Sequence, residues 1–387
     1  MARNIVHILD IGSASLKALS AQRRPEEAGL HILGAALVPA EGVRRGLVQT
    51  PSLLSKKIKE AVKEVERFSG IPFKHAYVVF GSPALGFQKV RSRVAISQAS
   101  GEVSPYDVDR VLSQARPSSR ELQNRGVMEF FGLNYAVDSE FSLKDPVGLK
   151  GEHLEAEVLF VTSLLKPLDE AISAVEGAGV AIDDVIPAPL ATARALFASR
   201  QREAGALVMD IGAETLNLAV FEENLPYSLA VFPFGGAHIT NDIALGFQVP
   251  LEKAEEIKIS AKLPDDSAPS KRKFQNIVEA RLEDMFELVQ THLKKIGRAG
   301  LLPGGVVLSG GSAKIQGLEE FSKNALRLPA ELGVCRELDS NHKLQDLVWQ
   351  TALGAALLAL DQETSPAFKK PSALRQRLSS WLRFLIP

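Results

Sequence analysis

The clearest alternation of apolar and polar positions lies in residues 207–221, where an apolar run leads into Asp210-Ile211-Gly212 and then into Leu216, Leu218 and Val220 at every second position. An apolar run, a glycine turn and a period-two run predict two strands joined tightly. Residues 6–19 repeat the pattern, with Asp10-Ile11-Gly12, hydroxyls at Ser13 and Ser15, and Lys17 just after the turn. Two such hairpins in one chain predict two similar half-molecules facing one another.

Residues 30–38 read as a third strand. Thr50 and Pro51 offer an N-cap and a first helical residue, and Leu54, Ile58, Ala61, Val65 and Phe68 follow at spacings of four and three up to Gly70. That predicts a helix laid on a sheet, joined to the third strand by a short connection at 39–49. Residues 75–81 form the next strand. From Ala84 to Thr162 short strands at 90–97, 126–137 and 153–162 surround a helix running from Ser104 to Ala115, an inserted small α/β subdomain. The main pattern resumes with a helix at 166–179, a strand ending at Pro187 and a helix at 189–202. After a strand at 229–232, residues 237–262 are helical with a proline interruption, 265–273 form a polar loop, and 274–295 form a long amphipathic helix.

Composition narrows the class. The 387 residues are 45% hydrophobic and 24% charged, which suits two cored domains, and the net charge of -1 argues against nucleic acid as a partner. A single cysteine, Cys335, excludes a disulfide framework and fits a small buried residue in a reducing cytoplasm. The seven histidines lack metal-ligand spacing. No apolar run is long enough to span a bilayer, so any membrane contact is expected to be peripheral.

The turns carry the candidate chemistry. Gly212 frees the backbone so that amide N–H groups converge into a seat for phosphate. An ionised Asp210 cannot donate to phosphate, so its expected work is to hold a hydrated divalent cation, and magnesium fits. A third element, the buried strand ending in Gly310-Gly311, lets a flat ring approach the backbone.

These three elements in this order resemble the actin-like nucleotide-binding superfamily, and within it the bacterial cell-division family FtsA. The resemblance covers nearly the whole chain: Leu9 to Ser13, residues 144–149 with 154–158, residues 254–258, and Val307 to Gly311. It implies a duplicated ribonuclease-H-like core, with 1–83 and 163–203 as the first domain, 84–162 inserted, 204–236 and 301–360 as the second domain, and 237–300 as its subdomain. It also implies ATP and Mg2+ as cofactors, with Asp10 and Asp210 on the metal. Asp10, Gly12, Ser13 and Lys17 would line one phosphate loop and Asp210 and Gly212 the other. Gly235 and Gly236 would approach the nucleotide from below, Glu255 and Lys258 would flank the ribose, and Gly310, Gly311 and Lys314 the adenine. Two departures from the superfamily pattern stand out: Ala213 and Glu214 stand where glycines are usual, and Ala188 stands where many relatives carry Glu or Gln. Both favour binding over turnover.

The resemblance implies a scaffold that polymerises and tethers FtsZ filaments to the cytoplasmic face of the inner membrane at the division site, recruiting other division proteins. An FtsZ C-terminal peptide is expected on residues 237–295, where Lys273 and Arg281 would pair its acids. A pilus-assembly protein like PilM and a small-molecule kinase are the alternatives. The last segment discriminates. Beyond a linker at 361–371, residues 372–387 place Leu374, Leu378, Trp381, Leu382 and Leu385 on one helical face, with Arg375, Arg377 and Arg383 adding only positive charge. An apolar face with a Trp and flanking cations suits an anionic lipid surface.

Overall fold

The computed structural model describes residues 5–23, 29–115, 117, 122–143, 145–263, 265, 267–338 and 342–364. The expected membrane helix, with Leu374, Arg375, Leu378, Trp381, Leu382 and Leu385, lies outside them. The chain divides into two compact units, one of residues 1–83 with 171–360 and another that includes 84–170.

In the first unit the two predicted hairpins nucleate two five-stranded sheets. Ile5–Ile11 pairs antiparallel with Ser15–Gln22, which pairs antiparallel with His31–Pro39; on its other side Ile5–Ile11 runs parallel to His75–Phe80, and that strand parallel to Ala181–Pro187. The second sheet repeats this arrangement. Ala206–Ile211 pairs antiparallel with Leu216–Glu222, itself antiparallel to Leu225–Phe232, while the other side adds Val306–Ser309 and Ala330–Leu332 in parallel. Sheet order and strand sense match in the two lobes, which is the duplication the hairpins predict.

Helices cover these sheets because their apolar stripes have nowhere else to go. Pro51–Ser69 buries Leu54, Ile58, Ala61 and Val65 and stops at Gly70, whose φ of 67° is the left-handed C-cap. Thr50 makes no side-chain cap, however, and Phe68 is 61% exposed, outside the buried stripe. Ala188–Leu196 and Gln350–Thr364 pack closely enough that a Cβ on Gly354 would run into the carbonyl oxygen of Ala191. Buried Cys335 donates its backbone N–H to Gln350 Oε1 at 2.7 Å.

The strands expected at 90–97 and 229–232 begin earlier, at Leu85 and Leu225, and three other segments differ in kind from the sequence expectation. The helix expected over 189–202 is two, Ala188–Leu196 and Ser199–Ala204, because the extended residues Phe197 and Ala198 part them. The polar loop expected over 265–273 is largely helical: Ser267 caps a helix over Ala268–Lys295 by accepting the N–H of Ser270. The connection at 39–49 contains a small hairpin, Val43–Arg44 with Leu47–Val48.

The other unit is a four-stranded antiparallel sheet in the order Leu85–Ala95, His153–Leu164, Arg125–Val137, Glu140–Leu143. Its core joins Val94, Phe130, Leu154, Val158 and Phe160 to Val111 of the helix Pro105–Gln114. That helix starts with a capping box. Ser104 Oγ accepts the N–H of Asp107, and the Asp107 carboxylate accepts the N–H of Ser104. Burial pushes the Asp107 carboxyl up, but donors from Ser104 and Ser97 outweigh it and hold it at about 2.

Candidate functional site

A cleft of about 390 Å³ opens between the two sheets of the first unit, lined by the turns of both hairpins and by the start of Gly311–Lys314. Asp10, Gly12, Ser13, Lys17, Asp210, Gly212, Glu255, Lys258, Gly310, Gly311 and Lys314 all reach it. The chain brings together residues as far apart as Asp10 and Lys314 because the first strand of each hairpin is central to its sheet and ends at the cleft.

In each turn the glycine N–H closes the loop, Gly12 donating to Ser15 O at 3.1 Å and Gly212 to Thr215 O at 2.8 Å. Small residues keep the seat open. A Cβ at Gly12 would lie 2.8 Å from Ser15 O, and one at Gly310, where φ is 89°, would lie 2.5 Å from Asp210 Oδ1. Gly235 and Gly236 do not line the cleft; they back the second turn. A Cβ at Gly235 would lie 2.6 Å from Gly212 O, and the Gly236 N–H donates to that same oxygen at 3.0 Å.

The two aspartates differ electrically. Lys17 Nζ donates to Asp10 Oδ2 at 2.8 Å in a buried pair. Among the described residues Asp210 has two neutral donors, Asn217 Nδ2 at 3.0 Å and Thr351 Oγ1 at 3.2 Å. Burial, and then the Asp10 charge, push the Asp210 carboxyl up to about 6 against the pull of Lys17, Asn217 and Thr351. Asn217 Oδ1, facing Gly81, is buried with no partner among the described residues. A carboxylate short of positive charge beside an unpaired amide oxygen fits a hydrated divalent cation. Among the described residues no three His, Cys, Asp or Glu side chains cluster as a metal cage, so such a cation would keep most of its water or phosphate ligands, as Mg2+ does.

On the far wall Lys258 Nζ lies 2.7 Å from Glu255 Oε2, and both bond Thr240 Oγ1, at 2.9 and 2.5 Å. The pair therefore forms a polar rim. Lys314 is anchored by Asp346 at 2.6 Å. The expected peptide-binding cations lie elsewhere. Arg281 is already bidentate on Asp242, at 2.6 and 2.9 Å, and bonds Asp284 at 2.9 Å, whereas Lys273 packs over the Phe247 ring.

Sequence reading missed Asn217 and Thr351. Asn217 had a signal, for it follows Asp210 by the same spacing as Lys17 follows Asp10. Thr351 had none, being brought in by a helix near the end of the chain. Glu214 is not among the residues lining the cleft, and its Oε2 accepts the N–H of Arg45 at 2.5 Å.

Comparison with known proteins bears on family and fold. Residues 207–354 match the family model described as cell division protein FtsA, and residues 84–162 match the SHS2 domain inserted in FtsA. The cell division protein FtsA of Pseudomonas aeruginosa is 28% identical over 376 residues, 92% of this chain and 89% of that protein. The FtsA of Bacillus subtilis is 28% identical across 82% of this chain and 76% of its own length. Among solved structures, the PilM-PilN type IV pilus biogenesis complex superposes with a TM-score of 0.65 at 21% identity over 92% of this chain and 98% of that one. MreB5 of Spiroplasma citri bound to AMPPNP gives 0.52 at 12% identity, over 92% and 96%. These likenesses show an actin-like fold with an inserted SHS2 domain.

Proposed function

The chain belongs to the FtsA family of bacterial cell-division proteins, and on that premise we propose that it binds ATP with Mg2+ in the cleft. Bound there, Mg2+ neutralises phosphate charge. Asp210 and Asp10 hold its water shell, the amides and hydroxyl of the two turns orient the phosphates, and the Glu255–Lys258 rim and Gly310-Gly311 flank the nucleoside. The observation that carries this reading is Asp210, pushed up to about 6 with neutral donors from Asn217 and Thr351 among the described residues. Turnover is slow because Ala188, at the start of its helix, offers no polar group to orient water. Calorimetry with ATP and Mg2+ should give binding that Asp210→Ala abolishes; no affinity in the wild type, or full affinity in the variant, would refute it.

The nucleotide-bound chain polymerises head to tail, a heterologous contact that does not close, with the 84–162 subdomain in the interface. It links FtsZ to the inner membrane at the division site and recruits later division proteins. The FtsZ tail peptide docks beside Lys273, which with Pro269, Arg272 and Ile277 borders a shallow concavity of about 510 Å³. Arg281, committed to two acids, contributes less. Residues 372–387 bind anionic lipid through Trp381 and its leucines, and several tails in one polymer act together. Among the described residues no helix is long and apolar enough to cross a membrane. Flotation with anionic vesicles should fail for a chain ending at Pro366 and for Trp381→Glu; equal flotation with the full chain would remove the membrane role.

A further inference from the structure

Glu214 stands in the second turn of the cleft, where a negative charge would oppose phosphate, yet its carboxylate reaches the first lobe and accepts the Arg45 N–H at 2.5 Å. The next amide, Gly46 N–H, donates to Ser13 Oγ at 3.1 Å. Arg45 and Gly46, at φ 51° and 70°, form the tight turn between Val43–Arg44 and Leu47–Val48. The left-handed conformation is costly for Arg45 and persists only where its surroundings enforce it. The turn is packed closely on two sides. A Cβ on Gly46 would lie 2.5 Å from Gly81 O in the first lobe and 2.9 Å from Thr215 Cγ2 in the second. The hairpin therefore touches both phosphate turns.

We propose that Glu214 is a positioning residue for phosphate rather than an obstacle to it. Its carboxylate anchors the 43–48 hairpin against the two turns, and the anchored Gly46 amide occupies a lone pair of Ser13. The Ser13 O–H is then left to donate into the seat. This inference rests on the nucleotide reading above.

The test uses the full chain with Glu214→Ala, Glu214→Gln, Ser13→Ala and the Ser13→Ala/Glu214→Ala double variant. Dissociation of a fluorescent ATP is followed by stopped flow with Mg2+, and exchange of the Arg45 and Gly46 amides is followed without nucleotide. Glu214→Ala should speed dissociation about tenfold, the scale of one hydrogen bond to a charged acceptor, and should deprotect both amides. Glu214→Gln, which keeps an acceptor oxygen, should stay near the wild type in both measurements. The double variant should release ATP no faster than Ser13→Ala alone, because both act through one hydroxyl. Unchanged exchange and release in Glu214→Ala, or full additivity in the double variant, would overturn the proposal. If the wild type bound no ATP, the nucleotide reading and the phosphate-directed role would both fall, and exchange at the two amides would still decide whether Glu214 anchors the hairpin.

Discussion

The two hairpins at the cleft are one scaffold with two electrostatic outcomes. In each, the aspartate is the last but one residue of the first strand and pairs across the ladder with the residue seven positions on, Asp10 with Lys17 and Asp210 with Asn217. In each, a glycine N–H closes the turn onto the same relative carbonyl. At the aspartate one substitution sets their electrostatics apart. Lys17 neutralises Asp10 within the first hairpin, whereas Asn217 gives Asp210 a hydrogen bond without charge, and burial then pushes that carboxyl up to about 6. The backbone duplication sets where the groups stand; the cross-strand partner sets whether the site needs a cation from outside.

The comparison breaks first at Lys17. With 8% exposure for Lys17 and 7% for Asp10, removing the cation by Lys17→Met leaves a buried carboxylate unpaired. The expected loss of unfolding free energy is about 3 kcal/mol in urea titrations without nucleotide. A variant as stable as the wild type would mean that the first hairpin is not electrically self-sufficient.

Asp210→Asn should change stability in the opposite direction. A carboxyl whose folded value lies above its unfolded one destabilises the folded chain once ionised, so this contribution worsens as pH rises from about 4 to 6 and is complete at pH 7. Asp210 keeps part of its surface on the cleft, so the gain from neutralising it is discounted to roughly 1 kcal/mol. The variant should therefore melt higher than the wild type in chelator at pH 7.5 while losing Mg2+-dependent nucleotide affinity. Lower stability in chelator would mean that Asp210 is not short of positive charge.

Much of this contrast was legible in the sequence, because strand alternation and a glycine turn are local signals that no distant contact had to complete. Asp10-Ile11-Gly12 and Asp210-Ile211-Gly212 located both turns. The partner of Asp210 was legible only by aligning the hairpins on each other. Thr351 was beyond reach, since only packing of the Gln350–Thr364 helix brings it to Asp210. Local signals also misled. The charges at Lys271, Arg272 and Lys273 read as a loop, although Ser267 followed by Pro269 repeats the hydroxyl-then-proline start of the other helices at Ser104-Pro105. The turn at Arg45-Gly46 was missed because two-residue strands carry no periodicity to read.

The smallest expected effect lies three positions before each aspartate. There the first hairpin pairs His7 with Ser20, Nδ1 to Oγ at 2.7 Å, where the second pairs Leu207 with Val220. Burial and then the neighbouring His75 push the His7 imidazole down to about 4, against the opposing pull of Asp183 and Glu66. A histidine whose folded value is depressed is protonated first in the unfolded chain, so its contribution is lost as pH falls from 6.5 to about 4. This slope runs against that of Asp210 over nearly the same window, so the two hairpins offset one another in the wild type. His7→Leu with Ser20→Val writes the second hairpin's pair into the first. Replacing both partners by apolar groups should leave stability at pH 7.5 nearly unchanged. Melting temperatures in chelator, measured between pH 6.5 and 4.5, should then decline less for the double variant than for the wild type, and more steeply for Asp210→Asn. Parallel curves for all three proteins would show that neither buried group governs the acid limb, and that the hairpins differ only in what they hold in the cleft.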